Sequence, residues 1–254
     1  MPNWLEGRHA LITGGGTGIG ASAATHLNAA GAKVTVAGRR KEPLEFIRKI
    51  VDGTAVQCDV TDRDEIARAF DEARAANGPI EMLVVNAGIA ESAPFHKMTR
   101  ESWDRIIAVN LTAAFDCAQA ALPDLLASEN GRLVFVASVA SLRGVPYAAH
   151  YAASKHGLLG LMRSLAAEYA KTKLTVNAVC PGYVDTPMTD QSVARVSAIT
   201  GRSEDEARGA ITNMNASGRL VHPDGVGTMI MTLCLPQSRD VNGAAVTIDG
   251  GTSA

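Results

Sequence analysis

Short apolar runs alternate with amphipathic stretches along the whole chain. Runs at Arg8–Thr13, Lys33–Ala37, Thr54–Cys58, Glu81–Val85, Arg132–Ala137, Leu174–Val179 and Ala244–Ile248 have the length and aliphatic content of buried strands. Helical spacing fills the intervals: from the glycine turn through Leu27 to Ala30, near Asp62 to Ala76, and from Ala148 to Ala170. Two more helices are predicted, a long one from Thr99 to Leu126 that tolerates Pro123 near its end, and one from about Asp224 to Leu235. Alternation of this kind predicts an α/β fold, a doubly wound parallel sheet with helices on both faces, in one domain spanning 1–254. Residues 183–217 are polar, methionine-bearing and weakly patterned, which suits a mobile lid over a substrate.

The first run leads into Gly14, Gly15, Gly16, Thr17, Gly18, Ile19 and Gly20, and then into a helix. Glycines let a backbone approach a pyrophosphate, and a helix N-terminus offers unpaired N–H groups with a favourable dipole. The spacing is TGxxxGxG, built on Thr13, Gly14, Gly18 and Gly20, rather than GxGxxG. The second run ends at Gly38, Arg39 and Arg40, where a site preferring NAD places an acid to hold the ribose hydroxyls. A guanidinium grips a 2′-phosphate, and the missing carboxylate removes a repulsion, so NADP(H) is favoured over NAD(H).

The chemistry is concentrated between Ser138 and Lys155. Tyr151 and Lys155 stand four apart on a predicted helix and share one face. A phenol ionises near ~10, so working near ~7 requires about 3 units, roughly 4 kcal/mol. An ammonium about 4 Å away supplies on the order of 4 kcal/mol at an effective dielectric near ~20. Ser138, at the end of its apolar run, adds a hydroxyl to hold a carbonyl oxygen.

Composition narrows the classes. A net charge of −2 gives no electrostatic case for nucleic acid or an anionic membrane. No basic segment followed by an apolar run opens the chain, and no uninterrupted apolar stretch approaches ~20 residues, so a cytoplasmic location is expected. Cys58, Cys117, Cys180 and Cys234 form no CxxC and read as reduced core residues. The histidines show no HExxH spacing, and no metal is expected. Two glycosylation-pattern matches, at Asn110 and Asn215, read as chance.

Taken in order, these motifs resemble the short-chain dehydrogenase/reductase family over essentially the whole chain. The matching residues are Thr13, Gly14, Gly18 and Gly20, then Asp59, Asn86, Ala87 and Gly88, then Asn110 and Ser138. Tyr151 with Lys155, and Pro181 with Gly182 and Thr186, complete the set. The resemblance implies a seven-stranded Rossmann sheet, a homotetramer, and hydride transfer between NAD(P)(H) and a small-molecule carbonyl or secondary alcohol. It implies that Tyr151 exchanges the proton with the substrate oxygen, while Lys155 lowers its pKa and holds the nicotinamide ribose. Ser138 then orients the carbonyl, and Asn110 holds a water linking Lys155 to solvent. Thr17, Ile19 and Arg39 fall in the cofactor site, Asp59 and Val60 border the adenine, and Val184 with Thr186 borders the nicotinamide amide.

One departure is Val85, where the family usually has the first Asn of an Asn-Asn-Ala-Gly run. Weakened support for the central strand is the expected consequence. Ala90 and Ala140 stand where relatives that take free 3-hydroxybutyrate usually carry Gln and His, and Ser128, Glu129 and Asn130 replace the basic residues of acyl-carrier-protein reductases. The expected substrate is therefore a 3-oxoacyl- or 3-hydroxyacyl-CoA thioester, with a neutral aromatic or alicyclic ketone as the alternative. Met188, Val193, Val196, Ile199 and Met214 are expected to wall the pocket, and Arg195, Arg202 and Arg208 to meet CoA phosphates at its rim. A dinucleotide-sensing regulator on the same fold tends to lose the Tyr or the Lys, and both are present here.

Overall fold

A computed structural model describes residues 3–254. Its centre is a parallel sheet of seven strands: β1 (His9–Thr13), β2 (Lys33–Gly38), β3 (Thr54–Gln57), β4 (Met82–Val85), β5 (Arg132–Val136), β6 (Thr175–Pro181) and β7 (Ala245–Ile248). They are arranged in the order β3-β2-β1-β4-β5-β6-β7. The helices are α1 (Gly18–Ala29), α2 (Lys41–Ile50), α3 (Arg63–Asn77), α4 (Arg100–Ile107), α5 (Ala113–Ala127), α6 (Ala149–Glu168), α7 (Pro187–Thr200), α8 (Glu204–Thr212) and α9 (Pro223–Cys234).

Strand side chains alternate between faces, so a strand covered on both sides must be apolar throughout. β4 shows this: Leu83 and Val85 join a core with Phe70, Leu125 and Leu158, whereas Met82 and Val84 join an opposite core with Ile12, Leu27 and Ile230. Full burial of each such side chain is worth about 1.5–3 kcal/mol. Val85 is itself buried, paired in register with Phe135, so its apolar side chain belongs to the packing of the central strand. Strand order reverses direction between β1 and β4, and ligand crevices of open α/β sheets lie at the carboxyl ends of the strands at such a switch.

The predicted strands are all present, with differences of one or two residues at their ends. The long helix predicted from Thr99 to Leu126 is broken by a π-helical turn, Ala108–Thr112, between α4 and α5. By length and composition the combined run Arg100–Ala127 passes for a membrane span, although Asp116 and Asp124 interrupt its apolar residues. Its faces explain the composition: Ala114, Cys117, Ala118, Ala121 and Leu125 are buried in the protein core.

Helix α2 is absent from the sequence reading. It carries Pro43 in its first turn, where the missing N–H costs nothing, and it buries Leu44 and Ile47. The segment 183–217, predicted as a weakly patterned lid, holds the well-formed α7 and α8. Their shared core is small, centred on Val193, Ala207 and Ile211, so few positions carry the helical period. All four cysteines are buried and unpaired. Burial pushes the thiols of Cys58 and Cys180 up to about 11 and that of Cys234 to about 12, which keeps them protonated. Asn110 and Asn215, the two glycosylation-pattern asparagines, are each 1% exposed and so closed to modification.

Candidate active site

The turn between β1 and α1 is held from beneath by Asn86. Its Nδ2 donates to the carbonyls of Thr13 at 2.9 Å and Gly14 at 3.0 Å. The Thr13 hydroxyl oxygen accepts the N–H groups of Asn86 at 3.0 Å and Ala87 at 3.1 Å. Glycine is required where these chains meet: a Cβ on Gly20 would stand 2.3 Å from the Gly14 carbonyl oxygen and 2.5 Å from Asn86 Nδ2. Gly18 opens α1 at a φ of +55°, a conformation that L side chains rarely adopt, and a Cβ there would lie 3.0 Å from Thr186. Thr17, at the N-cap, makes no side-chain bond to the helix, so the first-turn N–H groups of α1 remain available to an anion.

A cleft runs from this turn along the sheet switch, lined by Thr17, Gly18 and Ile19, by Arg39, Asp59 and Val60, and by Ala87, Gly88 and Thr186. Arg39 Nη1 lies 3.9 Å from Asp59 Oδ2, with both side chains open to solvent. Against the pull of burial, hydrogen bonds from Thr61 and the Arg39 charge hold the Asp59 carboxyl below its ordinary value. Pro181, Gly182 and Val184 do not line this cleft. Gly182 packs against Asn215 and Asp249, and the buried Val184 carbonyl accepts the Thr189 hydroxyl at 2.6 Å. Thr186 is thus the one member of that group that the structure places at the cleft wall.

At the inner end, α6 brings Tyr151 and Lys155 beneath Ser138, which ends the β5 run. Lys155 is 5% exposed, and its Nζ donates to the Val136 carbonyl at 2.8 Å. Burial lowers the ammonium from 10.5 to about 8, so it is cationic at neutral pH. Its Nζ stands 5.8 Å from the centre of the Tyr151 ring. Burial raises the Tyr151 phenol, with the neighbouring Ser138 hydroxyl opposing the rise. Burial thus favours the neutral phenol and sets the task that the expected help of the Lys155 ammonium has to meet. Ser138 Oγ accepts the Ala140 N–H at 3.1 Å, which leaves the hydroxyl hydrogen free to donate.

Asn110 lies in the π turn, and each of its amide groups is engaged. Its Oδ1 accepts the Ile89 N–H at 2.9 Å, while Nδ2 donates to the Ile89 carbonyl at 3.0 Å and to Ser154 Oγ at 3.1 Å. Both Nδ2 hydrogens are therefore spent on protein, and the side chain serves as a tie between the loop after β4 and α6. A Cβ on Gly88 would come 3.2 Å from Asn110 Oδ1, a tight contact, and 3.7 Å from Lys155 Nζ, an ordinary one, so Gly88 packs closely against both.

The sequence reading missed Ser154, Ile89 and His150. Ser154 follows Tyr151 by one helical turn, a spacing that marks it as a neighbour. Ile89 acts through its backbone and leaves no side-chain signal.

The short chain dehydrogenase family model matches residues 8–197. The 3-oxoacyl-[acyl-carrier-protein] reductase MabA of Mycobacterium tuberculosis is 36% identical over 96% of this chain and 92% of its own. The cis-4-hydroxycyclohexanecarboxylate dehydrogenase of Sinomonas cyclohexanicum is 35% identical over 97% of each chain. Among solved structures, a variant of actinorhodin polyketide ketoreductase with NADPH is 34% identical, covers 99% of each chain and superposes with a TM-score of 0.93. The shared fold and the family match show that this chain is a member of the short-chain dehydrogenase family, a nicotinamide-dependent oxidoreductase acting on alcohols and carbonyls.

Proposed function

We propose that the protein is an NADP(H)-linked reductase of 3-oxoacyl-CoA thioesters, running in reverse on the 3-hydroxyacyl products. The cofactor cleft supports a dinucleotide on two observations: the left-handed turn at Gly18 that brings the chain to the cleft beside Thr186, and uncapped N–H groups at the start of α1. Gly14, Thr17, Gly18, Ile19 and Gly20 hold the pyrophosphate end, and Asp59 and Val60 the adenine. Asn86, Ala87, Gly88 and Thr186 hold the nicotinamide end. Arg39, exposed at the cleft wall with no acid at Gly38, takes the 2′-phosphate.

The bound nicotinamide supplies the hydride. Tyr151 supplies or accepts the proton at the substrate oxygen, and the free Ser138 hydroxyl donates to that oxygen. Lys155, held by Val136, keeps a positive charge beside the phenol as its proton leaves.

The observation that carries a coenzyme A rather than a carrier-protein substrate is the exposed ion pair between Glu129 and Lys173. An acidic carrier protein needs unpaired cations where it docks; this pair lies just before β5 and β6, at the strand ends opposite the cleft, and its lysine is already neutralised by the chain's own acid. Among the lid arginines, Arg208 is engaged by Asp190 and by Asp185 at 3.7 Å, which withdraws it from phosphate binding. Arg195 and Arg202 remain for that role. Met188, Ile199 and Met214 are exposed near the lid and favour an apolar acyl or ring portion.

Initial rates with NADPH on acetoacetyl-CoA, the same acyl group on carrier protein, free acetoacetate and 4-oxocyclohexanecarboxylate test this reading. A kcat/KM at least about tenfold higher on the CoA thioester than on each of the others is expected. Preference for the carrier-protein form overturns the ion-pair argument. Preference for the ring ketone favours an alicyclic substrate, in line with the Sinomonas relative.

A further inference from the structure

The helix that carries Tyr151 begins poorly. Its N-cap is Ala148, which has no side-chain oxygen to accept a first-turn N–H, and the first backbone bond of the helix is Ala152 N–H to the Ala148 carbonyl at 2.8 Å. The Tyr151 N–H thus lies one residue short of the helical ladder. It donates instead to Nδ1 of the adjacent His150 at 2.9 Å. His150 is completely buried, and its Nε2 is enclosed without a hydrogen-bond partner.

An Nδ1 that accepts carries no proton, so the ring is neutral with its hydrogen on Nε2. We infer that His150 is a positioning residue for Tyr151: its unprotonated Nδ1 completes the first turn of α6 and so fixes where the phenol stands. The inference rests on Tyr151 as the acid–base group.

Protonation would put a second donor against the Tyr151 N–H and break this cap. The charged groups around the ring come from three elements: Glu91 from the loop after β4, Arg105 from α4 and Arg195 from α7. Burial is the largest influence and lowers the His150 pKa from 6.5; Glu91 opposes this, and the two arginines add to it. Glu91 is itself held by Ser102 at 2.8 Å and by Arg105 at 2.8 and 2.9 Å, so much of its charge is already answered. The ring therefore stays neutral at physiological pH, and the cap is lost on the acid side.

The experiment compares His150→Leu, which fills the same space without an acceptor, with His150→Asn, whose Oδ1 falls near the position of Nδ1. On the best substrate of the panel, His150→Leu should lower kcat about ten- to a hundredfold with little change in KM for NADPH, and His150→Asn should restore at least about a third of the wild-type rate. Wild-type kcat should fall with an apparent pKa below 6.5, and this limb should be missing from His150→Asn. Histidine ¹⁵N spectra of the folded wild type should show Nδ1 unprotonated and Nε2 protonated at neutral pH, whatever the fate of the Leu variant. Equal rates in the two variants, an acid limb that survives in His150→Asn, or a protonated Nδ1 would overturn the inference. Tyr151→Phe separates the two levels: if it stays active, the acid–base reading falls; if it is dead while His150→Leu is not, the role of His150 alone falls.

Discussion

Asn110 Nδ2 donates to Ser154 Oγ at 3.1 Å, and Ser154 in turn donates to the Tyr151 carbonyl at 2.7 Å. A π turn in one helix is thereby joined to the turn of α6 that carries Tyr151. The same asparagine closes both backbone groups of Ile89, beside Gly88 at the cleft wall. Asn110→Leu keeps the volume but leaves those groups and Ser154 without partners. Each buried orphan costs about 1–3 kcal/mol, so urea unfolding should show a loss of roughly 2–4 kcal/mol together with a lower kcat. A variant of wild-type stability would show that the π turn does not depend on this tie.

Tyr151→Phe retains the ring and removes the transferable proton. Turnover should fall below about 1% of wild type, while NADPH affinity by fluorescence titration changes less than about threefold. Residual turnover of more than a few per cent would remove Tyr151 from the proton-transfer role.

Much of this site was legible because its parts are local. A glycine turn between a strand and a helix, and a Tyr four residues before a Lys, sit within single elements whose period the sequence displays. What stayed hidden depends on contacts between distant segments. Asn110 in the π turn reaches the Ile89 backbone, 21 residues away, and no local propensity announces that contact. At Tyr151 the sequence supplies the identity of the nearby ammonium but not the depth at which the phenol is buried. His150 was passed over since a histidine beside an active tyrosine has no distinctive spacing, and its role appears only once Ala148 is seen to be the cap.

Lys155 is an internal cation whose burial opposes folding. Its pKa falls from 10.5 to about 8 in the folded protein. Between those values the unfolded chain binds more protons, so this residue's contribution to stability rises with pH across that window. Below about 8 the penalty is fully present, and the shift corresponds to an upper limit of about 3 kcal/mol. Lys155→Met should therefore abolish turnover yet raise stability near neutral pH. Urea titrations should show the gain shrinking from neutral pH toward pH 10. A variant less stable than wild type at neutral pH would mean that the Val136 hydrogen bond outweighs desolvation.

On the proposed reading, Arg39 decides the cofactor. Its guanidinium is exposed, 3.9 Å from Asp59 and anchored by no shorter ion pair among the described residues, so it is free to turn toward a phosphate. Its carbonyl accepts Gln57 Nε2–H at 2.9 Å, which ties the backbone of this corner to the end of β3 and does not involve the side chain. Arg39→Ala should therefore leave the fold unchanged while removing the charge-assisted contact to the 2′-phosphate. A contact of about 1.5–3 kcal/mol corresponds to a roughly 10- to 150-fold loss in kcat/KM for NADPH, with NADH little affected. Restoring an acid at the preceding position, Gly38→Asp, should push the preference further toward NADH by repelling the 2′-phosphate and engaging the ribose hydroxyls. Equal losses with both cofactors in Arg39→Ala would assign the arginine to the structure of the β2–α2 corner and leave the 2′-phosphate without a partner there.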